Sequence, residues 1–210
     1  MTDVAVLISG RGSNMEALLR AAAAPGYPVR IALVVANRPD AAGLAHAAAA
    51  GVEAICVDHR PFGRDRAAHE RAMQAALEAR GIGVVCLAGY MRLLTHVLVD
   101  AWAGRMLNIH PSLLPAFPGL DTHARALASG VTLHGCTVHL VTDVMDAGPI
   151  LAQAAVPVLP GDTAEVLAAR VLAQEHRLYP LALRAFIEGR SLHPDPGAAL
   201  CNPSGFLPAQ

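Results

Sequence analysis

Along this chain, short uninterrupted apolar runs alternate with longer stretches of helical spacing. Runs at residues 4–8, 31–36, 54–57, 83–88 and 106–110 are rich in Val, Ile and Leu and carry almost no charge. Strands buried on both faces have this character, whereas a half-solvated sheet alternates apolar and polar positions. Between the runs, residues 14–24, about 40–50 and 66–80 repeat apolar residues at intervals of three and four among Ala, Glu and Arg. That spacing predicts helices, and the β-α-β rhythm predicts a parallel sheet covered on both faces.

After Arg105 the rhythm changes. The run at 106–110 leads into a loop rich in Pro and Gly that lasts through Thr122. Residues 134–141 and 150–158 read as strands on either side of a Gly148-Pro149 turn, an antiparallel hairpin at the sheet edge. Asp162-Thr163 offers an N-cap for a helix reaching about Glu188, which Pro180 is expected to bend or break. Residues 191–210 hold four prolines and little periodicity, and are expected to form an irregular tail. The fold class that follows is α/β: a Rossmann-like open, mostly parallel twisted sheet with helices on both faces and an antiparallel edge hairpin in the C-terminal half. Residues 1–190 are expected to form a single domain, with 1–105 as its nucleotide-phosphate-binding half and 106–190 as its catalytic half.

Composition narrows the function classes. Of 210 residues, 54% are hydrophobic and 16% charged, which suits a packed core rather than a disordered chain. The formal charge is −1, and no basic cluster is interleaved with the few aromatic residues, so neither nucleic acid nor an acidic membrane is expected as a partner. The first apolar run is too short for a signal-peptide core, and none approaches the ~18 residues of a membrane span. Cys56, Cys86, Cys136 and Cys201 are scattered without a Cys-x-x-Cys pair, as in a reducing compartment. The expectation is a cytoplasmic protein.

Two places carry candidate chemistry. Ile8-Ser9-Gly10-Arg11-Gly12-Ser13-Asn14 joins the first strand to the first helix. Its glycines permit a tight turn in which the amides of Gly12, Ser13 and Asn14 can face an anion at a helix N-terminus. A dinucleotide fold would want a third glycine where Met15 stands and an acid where Asn37-Arg38 stands, and no Walker lysine is present. A mononucleotide or sugar phosphate fits better, although the turn alone could equally be an ordinary βα connection. The second place is Asn108-Ile109-His110-Pro111. Asn108 and His110 lie two apart on an extended segment, so both side chains leave one face. With Asp146 from the later turn, they make a set suited to acyl or formyl transfer. An amide can hold an oxyanion, an imidazole can move a proton, and a carboxylate can orient the imidazole and favour its charged form. Taken singly, His110 could be a satisfied histidine at a strand end and Asp146 a turn residue. The other histidines offer less. His134 and His139 differ by five along a strand and so face opposite sides, and no His-Glu-x-x-His or Cys/His array implies a metal.

Over essentially its whole length the chain resembles the folate-dependent glycinamide ribonucleotide formyltransferases of purine synthesis. The residues that carry the resemblance are the turn at 8–14, Leu87-Ala88-Gly89-Tyr90-Met91-Arg92-Leu93-Leu94, Asn108-Ile109-His110-Pro111-Ser112-Leu113-Leu114-Pro115, Pro118-Gly119-Leu120, Asp146-Ala147-Gly148-Pro149-Ile150 and Gln174-Glu175-His176. The Asn-x-His plus Asp set belongs to formyl-folate enzymes generally, while the N-terminal turn points to this family. The resemblance implies 10-formyltetrahydrofolate as co-substrate, no metal, and small-molecule substrates handled by a monomer or homodimer. It implies that Gly12, Ser13 and Asn14 cradle the ribonucleotide phosphate and that Glu175 meets the ribose hydroxyls. It implies a folate pocket lined by Met91, Arg92, Leu93 and Leu94, by Thr142, Asp143, Val144, Met145 and Asp146, and by Asn108, and the 106–190 half is expected to be the folate half as well as the catalytic one. Arg66 matches a folate-contacting arginine, with Arg64 as the alternative. The family often has a second histidine where Asp121 stands here. A formyltetrahydrofolate hydrolase usually carries an extra N-terminal domain, and the methionyl-tRNA and sugar-amine formyltransferases an extra C-terminal one, so this chain is expected to be neither. A binding module without catalysis would not need the Asn108, His110 and Asp146 set.

Overall fold

The first strand, β1 (Thr2–Ile8), lies near the middle of a seven-stranded sheet, and Val4 to Ile8 are fully buried, so no position in that run needs to be polar. These features belong to a computed structural model that describes residues 1–192. The other strands are β2 (Val29–Ala36), β3 (Glu53–Cys56), β4 (Val84–Leu87), β5 (Met106–His110), β6 (Leu133–Leu140) and β7 (Ile150–Pro157). Their spatial order is β3-β2-β1-β4-β5-β6-β7. The strands from β3 through β5 pair in parallel, and β5–β6 and β6–β7 are antiparallel. The sheet is thus open and mostly parallel, with the expected hairpin at its edge. The chain reverses its direction of travel across the sheet between β1 and β4, the kind of crevice in which open α/β sheets bind ligands.

Alternate residues of each strand feed two separate cores. Val4, Val6 and Ile8 pack with Leu107 and Ile109 under α1 (Ser13–Ala22), α2 (Gly43–Ala49) and α6 (Ala164–Ile187). Ala5 and Leu7 pack with Met73, Leu77, Leu98 and Trp102 under α3 (Arg66–Glu78) and α4 (His96–Ala101). The helix expected from about residue 40 begins only at Gly43. There the backbone N–H donates to the Gly10 carbonyl, and an added Cβ would meet Ile8 Cδ1 at 2.4 Å. Close approach to the first turn therefore sets this boundary.

One expectation is corrected. Pro180 does not break α6, which runs unbroken for 24 residues. Proline removes one helical hydrogen bond, but tertiary contacts hold the chain on both sides of it. The Pro180 carbonyl accepts from the Tyr27 hydroxyl at 2.7 Å, and the buried Tyr179 hydroxyl lies 3.1 Å from the carbonyls of both Leu87 and Leu107. Between the loop that ends at Thr122 and β6 stands α5 (Thr122–Ala128), where the sequence suggests no element. Thr163 caps α6 as expected, its side chain accepting from Val166 N at 3.3 Å, while Asp162 is held well below the usual carboxylate range, at about 2, by Arg170. Of the expected tail, 193–210 lies outside the described residues. No described helix is long and apolar enough to cross a membrane.

Candidate active site

Asn108 and His110 leave the same face of β5, as their spacing requires, and both meet groups from β6 and from the turn before β7. Burial leaves His110 only 6% exposed. Its Nε2 donates to the Phe117 carbonyl at 3.1 Å, and its Nδ1 lies 3.5 Å from Asp146 Oδ2. Each ring nitrogen thus faces an oxygen, one on the loop and one on the turn before β7. Asp146 is fixed in turn by a hydrogen bond from Gly119 N at 2.8 Å, and it adopts a left-handed backbone conformation at φ 54°. The three residues singled out in the sequence therefore converge.

A fourth group joins them that sequence reasoning passed over. His139 stands directly opposite Asn108 in the β5–β6 pairing and is 2% exposed. Burial pushes its pKa down, against the opposing pull of the Leu140 carbonyl and Asp146. Its Nδ1–H donates to Leu140 O at 2.9 Å, which leaves Nε2 as the acceptor for the Asn108 amide at 3.1 Å. The neutral ring thus fixes which way the amide points and leaves one N–H of Asn108 free to donate elsewhere. The pairing register is the only signal for this role, and it cannot be read from a single strand.

At the other end of the crevice, Gly12 takes φ 80° and opens α1 without a side-chain cap. The first amides of the helix, including those of Ser13 and Asn14, face a cleft of about 450 Å³. The Asn14 side chain is buried and donates to Glu175 Oε2 at 2.6 Å. Burial raises the pKa of Glu175, and the Asn14 hydrogen bond opposes the shift. Ser9 Oγ accepts from Met91 N at 2.7 Å and so ties the turn to the 91–94 segment. In that segment Met91 and Leu93 are exposed, Arg92 lines the cleft, and Leu94 packs against the second core. Arg66 Nη1 donates to the Leu93 carbonyl at 3.3 Å, while the Arg64 side chain makes no hydrogen bond among the described residues, so the geometry favours Arg66. Glu70 was not anticipated. Its carboxylate accepts from Thr95 N, Thr95 Oγ1 and Leu98 N, pinning the end of the segment and the start of α4 to α3. Across the crevice, Thr142 to Asp146 form a turn in which Thr142 Oγ1 donates to Val144 O at 3.2 Å. Asp143, Val144 and Met145 are exposed there, so large apolar side chains stand open on both sides. Among the described residues no group of three or more His, Cys, Asp or Glu could hold a metal ion.

Behind His110, His134 is 1% exposed and packs edge-on to His123 and Phe117, with ring centroids 5.3 and 5.8 Å away. Its ring nitrogens are buried without a well-formed hydrogen bond. Burial, then His123, pushes its pKa down to about 4, a fall that the Pro111 carbonyl opposes only in part. The folded protein therefore holds this ring neutral over a range in which the unfolded chain protonates it. The associated stability is fully present above about pH 6.5 and is lost as pH falls towards about 4, by up to about 3 kcal/mol. Urea unfolding between about pH 7.5 and about pH 4.5 checks this. His134→Leu is expected to flatten the slope, and an unchanged slope contradicts the assignment.

Comparison with known proteins shows the family. The formyl transferase family model matches residues 2–183. A phosphoribosylglycinamide formyltransferase of Escherichia coli is 43% identical over 188 residues, covering 90% of this chain and 88% of that protein. The crystal structure of phosphoribosylglycinamide formyltransferase from Brucella melitensis superposes with a TM-score of 0.85 at 58% identity, covering 91% of this chain and 98% of that one. The trifunctional purine biosynthetic protein adenosine-3 of Bos taurus is 46% identical over 186 residues, which are 89% of this chain and 18% of that protein. The chain thus spans less than a fifth of the length of the trifunctional relative.

Proposed function

Because the chain belongs to the formyl transferase family, we propose that it transfers the formyl group of 10-formyltetrahydrofolate to the primary amine of glycinamide ribonucleotide, giving formylglycinamide ribonucleotide and tetrahydrofolate in purine synthesis. The observation that carries this reading is that the uncapped turn of α1 and the set of Asn108, His110 and Asp146 stand at one edge of the sheet, at the ends of β1 and β5 with only β4 between them. A phosphate on the amides of Gly12, Ser13 and Asn14 leaves the rest of a phosphoribosyl glycinamide to run past Glu175 towards His110. Residues 1–105 then serve mainly as the phosphate half and 106–190 as the folate and catalytic half. The enzyme works on small molecules, without metal, as a cytoplasmic monomer or homodimer.

The exposed apolar side chains of Met91, Leu93, Val144 and Met145, with the carboxylate of Asp146, fit a flat, partly polar ring system. We assign the folate to them together with Arg66, Arg92, Leu94, Thr142 and Asp143. The bound folate supplies an activated formyl carbonyl. The free N–H of Asn108 and a proton on His110 stabilise the negative oxygen that forms when the amine attacks the formyl carbon. His110 gives up the Phe117 carbonyl at Nε2 for the reacting atoms and keeps Asp146 beside Nδ1. The proton lost by the amine reaches the departing folate nitrogen through His110 and water. Asp146 orients the imidazole from its place 3.5 Å from Nδ1.

The test is release of tetrahydrofolate with and without glycinamide ribonucleotide. Release only in the presence of the amine, matched by formylated product, supports transfer, whereas release without it makes the protein a hydrolase. Glu175→Gln gives a separate readout. It is expected to raise the KM for glycinamide ribonucleotide with little change in kcat, because the carboxylate binds the ribose in ground and transition states alike. Burial raises the Glu175 pKa, so its charged form opposes folding above that pKa, and the neutral variant is expected to melt at a higher temperature near pH 7. The gain shrinks as pH falls and wild type itself becomes neutral. A variant with unchanged KM removes Glu175 from the site.

A further inference from the structure

The cleft at the α1 turn extends beyond what a phosphoribosyl glycinamide needs. From the turn, that substrate runs towards β5, whereas the cleft also spreads the other way, over the ends of β2 and β3, where Asn37, Arg38 and His59 line it. Its wall contains Arg11, Arg38 and Arg92 and no carboxylate. Arg11 and Arg92 make no ion pair among the described residues, so the field there is positive beyond what the helix terminus supplies. Arg38 is held differently. Its Nε and Nη2 form a two-pronged pair with Asp40 at 3.0 and 2.6 Å, which fixes the guanidinium plane and leaves its faces free to stack on a flat ring. The His59 ring is fixed too, its Nδ1–H donating to the Asn37 carbonyl at 2.7 Å. Asn37 is 2% exposed, and one end of its side-chain amide lies 3.3 Å from His59 Nδ1 while the other is buried with no partner. An unmet buried amide end in a cleft wall is satisfied most simply by a polar group of a ligand, such as a ribose hydroxyl, which can donate or accept.

In open α/β sheets with a glycine-rich first turn, the end of β2 is where the ribose and base of a nucleotide lie when its phosphate sits on that turn. We infer that the β2 side of this cleft is a nucleoside subsite. A nucleoside 5′-monophosphate places its phosphate on the α1 turn and its base and ribose against Asn37, Arg38 and His59, and so excludes the phosphoribosyl substrate. The inference rests on the reading of the turn as a phosphate site. It adds regulation of that site by a ligand that never reaches His110.

Competition against glycinamide ribonucleotide in the transfer assay tests it, with AMP and ribose 5-phosphate as probes. Both share the 5′-phosphate and ribose, and only AMP carries a base. Base stacking leads us to expect AMP to inhibit competitively at about tenfold lower concentration than ribose 5-phosphate. Arg38→Ala is expected to abolish that advantage while leaving the KM for glycinamide ribonucleotide unchanged. AMP no better than ribose 5-phosphate, or an advantage that survives Arg38→Ala, overturns the nucleoside subsite and leaves the phosphate turn standing. Ribose 5-phosphate that does not compete at all overturns the phosphate reading of the turn, and this inference with it.

Discussion

Asn108→Ala is expected to lower kcat by about 10² to 10³ and to leave the melting temperature close to wild type. The rate effect is large because the amide meets charge only as the tetrahedral oxygen forms, so its loss falls on the transition state rather than on the bound substrates. The stability effect is small because Asn108 is half-buried and its side chain makes one hydrogen bond, to His139. His139 keeps its own bond to the Leu140 carbonyl when the amide is gone. Saturating kinetics in both substrates, alongside thermal unfolding, separates the two effects. A fall of less than about tenfold would mean that the oxyanion is held by another donor.

Gly148→Ala is expected to destabilise the fold by more than about 3 kcal/mol and to abolish most activity. A Cβ at this position would stand 1.8 Å from the Leu140 carbonyl oxygen and 2.9 Å from its carbon. Both are backbone atoms, so no rotamer change relieves the clash. The Leu140 carbonyl also accepts from His139, and the Leu140 N–H donates to Pro149 O where β6 meets the turn. Pushing them apart opens the hairpin at its closed end and shifts Asp146 two residues away. For a chain of this length such a loss lowers the melting temperature by at least about 6 °C. A variant that melts with wild type would show that the turn can widen without strain.

Which parts of this molecule can be read in one sequence depends on how far apart the interacting residues lie. The run from Val4 to Ile8 declares a doubly buried strand because each of its positions has the same requirement. Asn108 and His110 declare a shared face because alternation is local to one strand. Asp146 is legible through its turn. His139 is not, since its partner Asn108 is chosen by cross-strand register, and a bulge between Val138 and His139 alters the pairing with β7 at that point. Nor is Glu70, whose three partners lie 25 to 28 residues away. The six-residue α4 and seven-residue α5 are too short to establish a helical period, although Thr95 does cap the first. Pro180 misleads for the opposite reason: the local rule is sound, and distant contacts from Tyr27 and Tyr179 outweigh it.

Phe117, Asp121 and Asp146 are the non-glycine residues in the described chain that hold a positive φ, at 53°, 56° and 54°. Side chains other than glycine adopt that backbone at an expense of roughly 1 to 2 kcal/mol each. Two of them, Phe117 and Asp146, meet one histidine, so heat resistance and turnover compete for the same few positions. An engineer who placed glycine at Phe117 or Asp121 would relax the loop. The same change at Asp146 would relax the backbone and leave a sturdier protein that no longer orients His110.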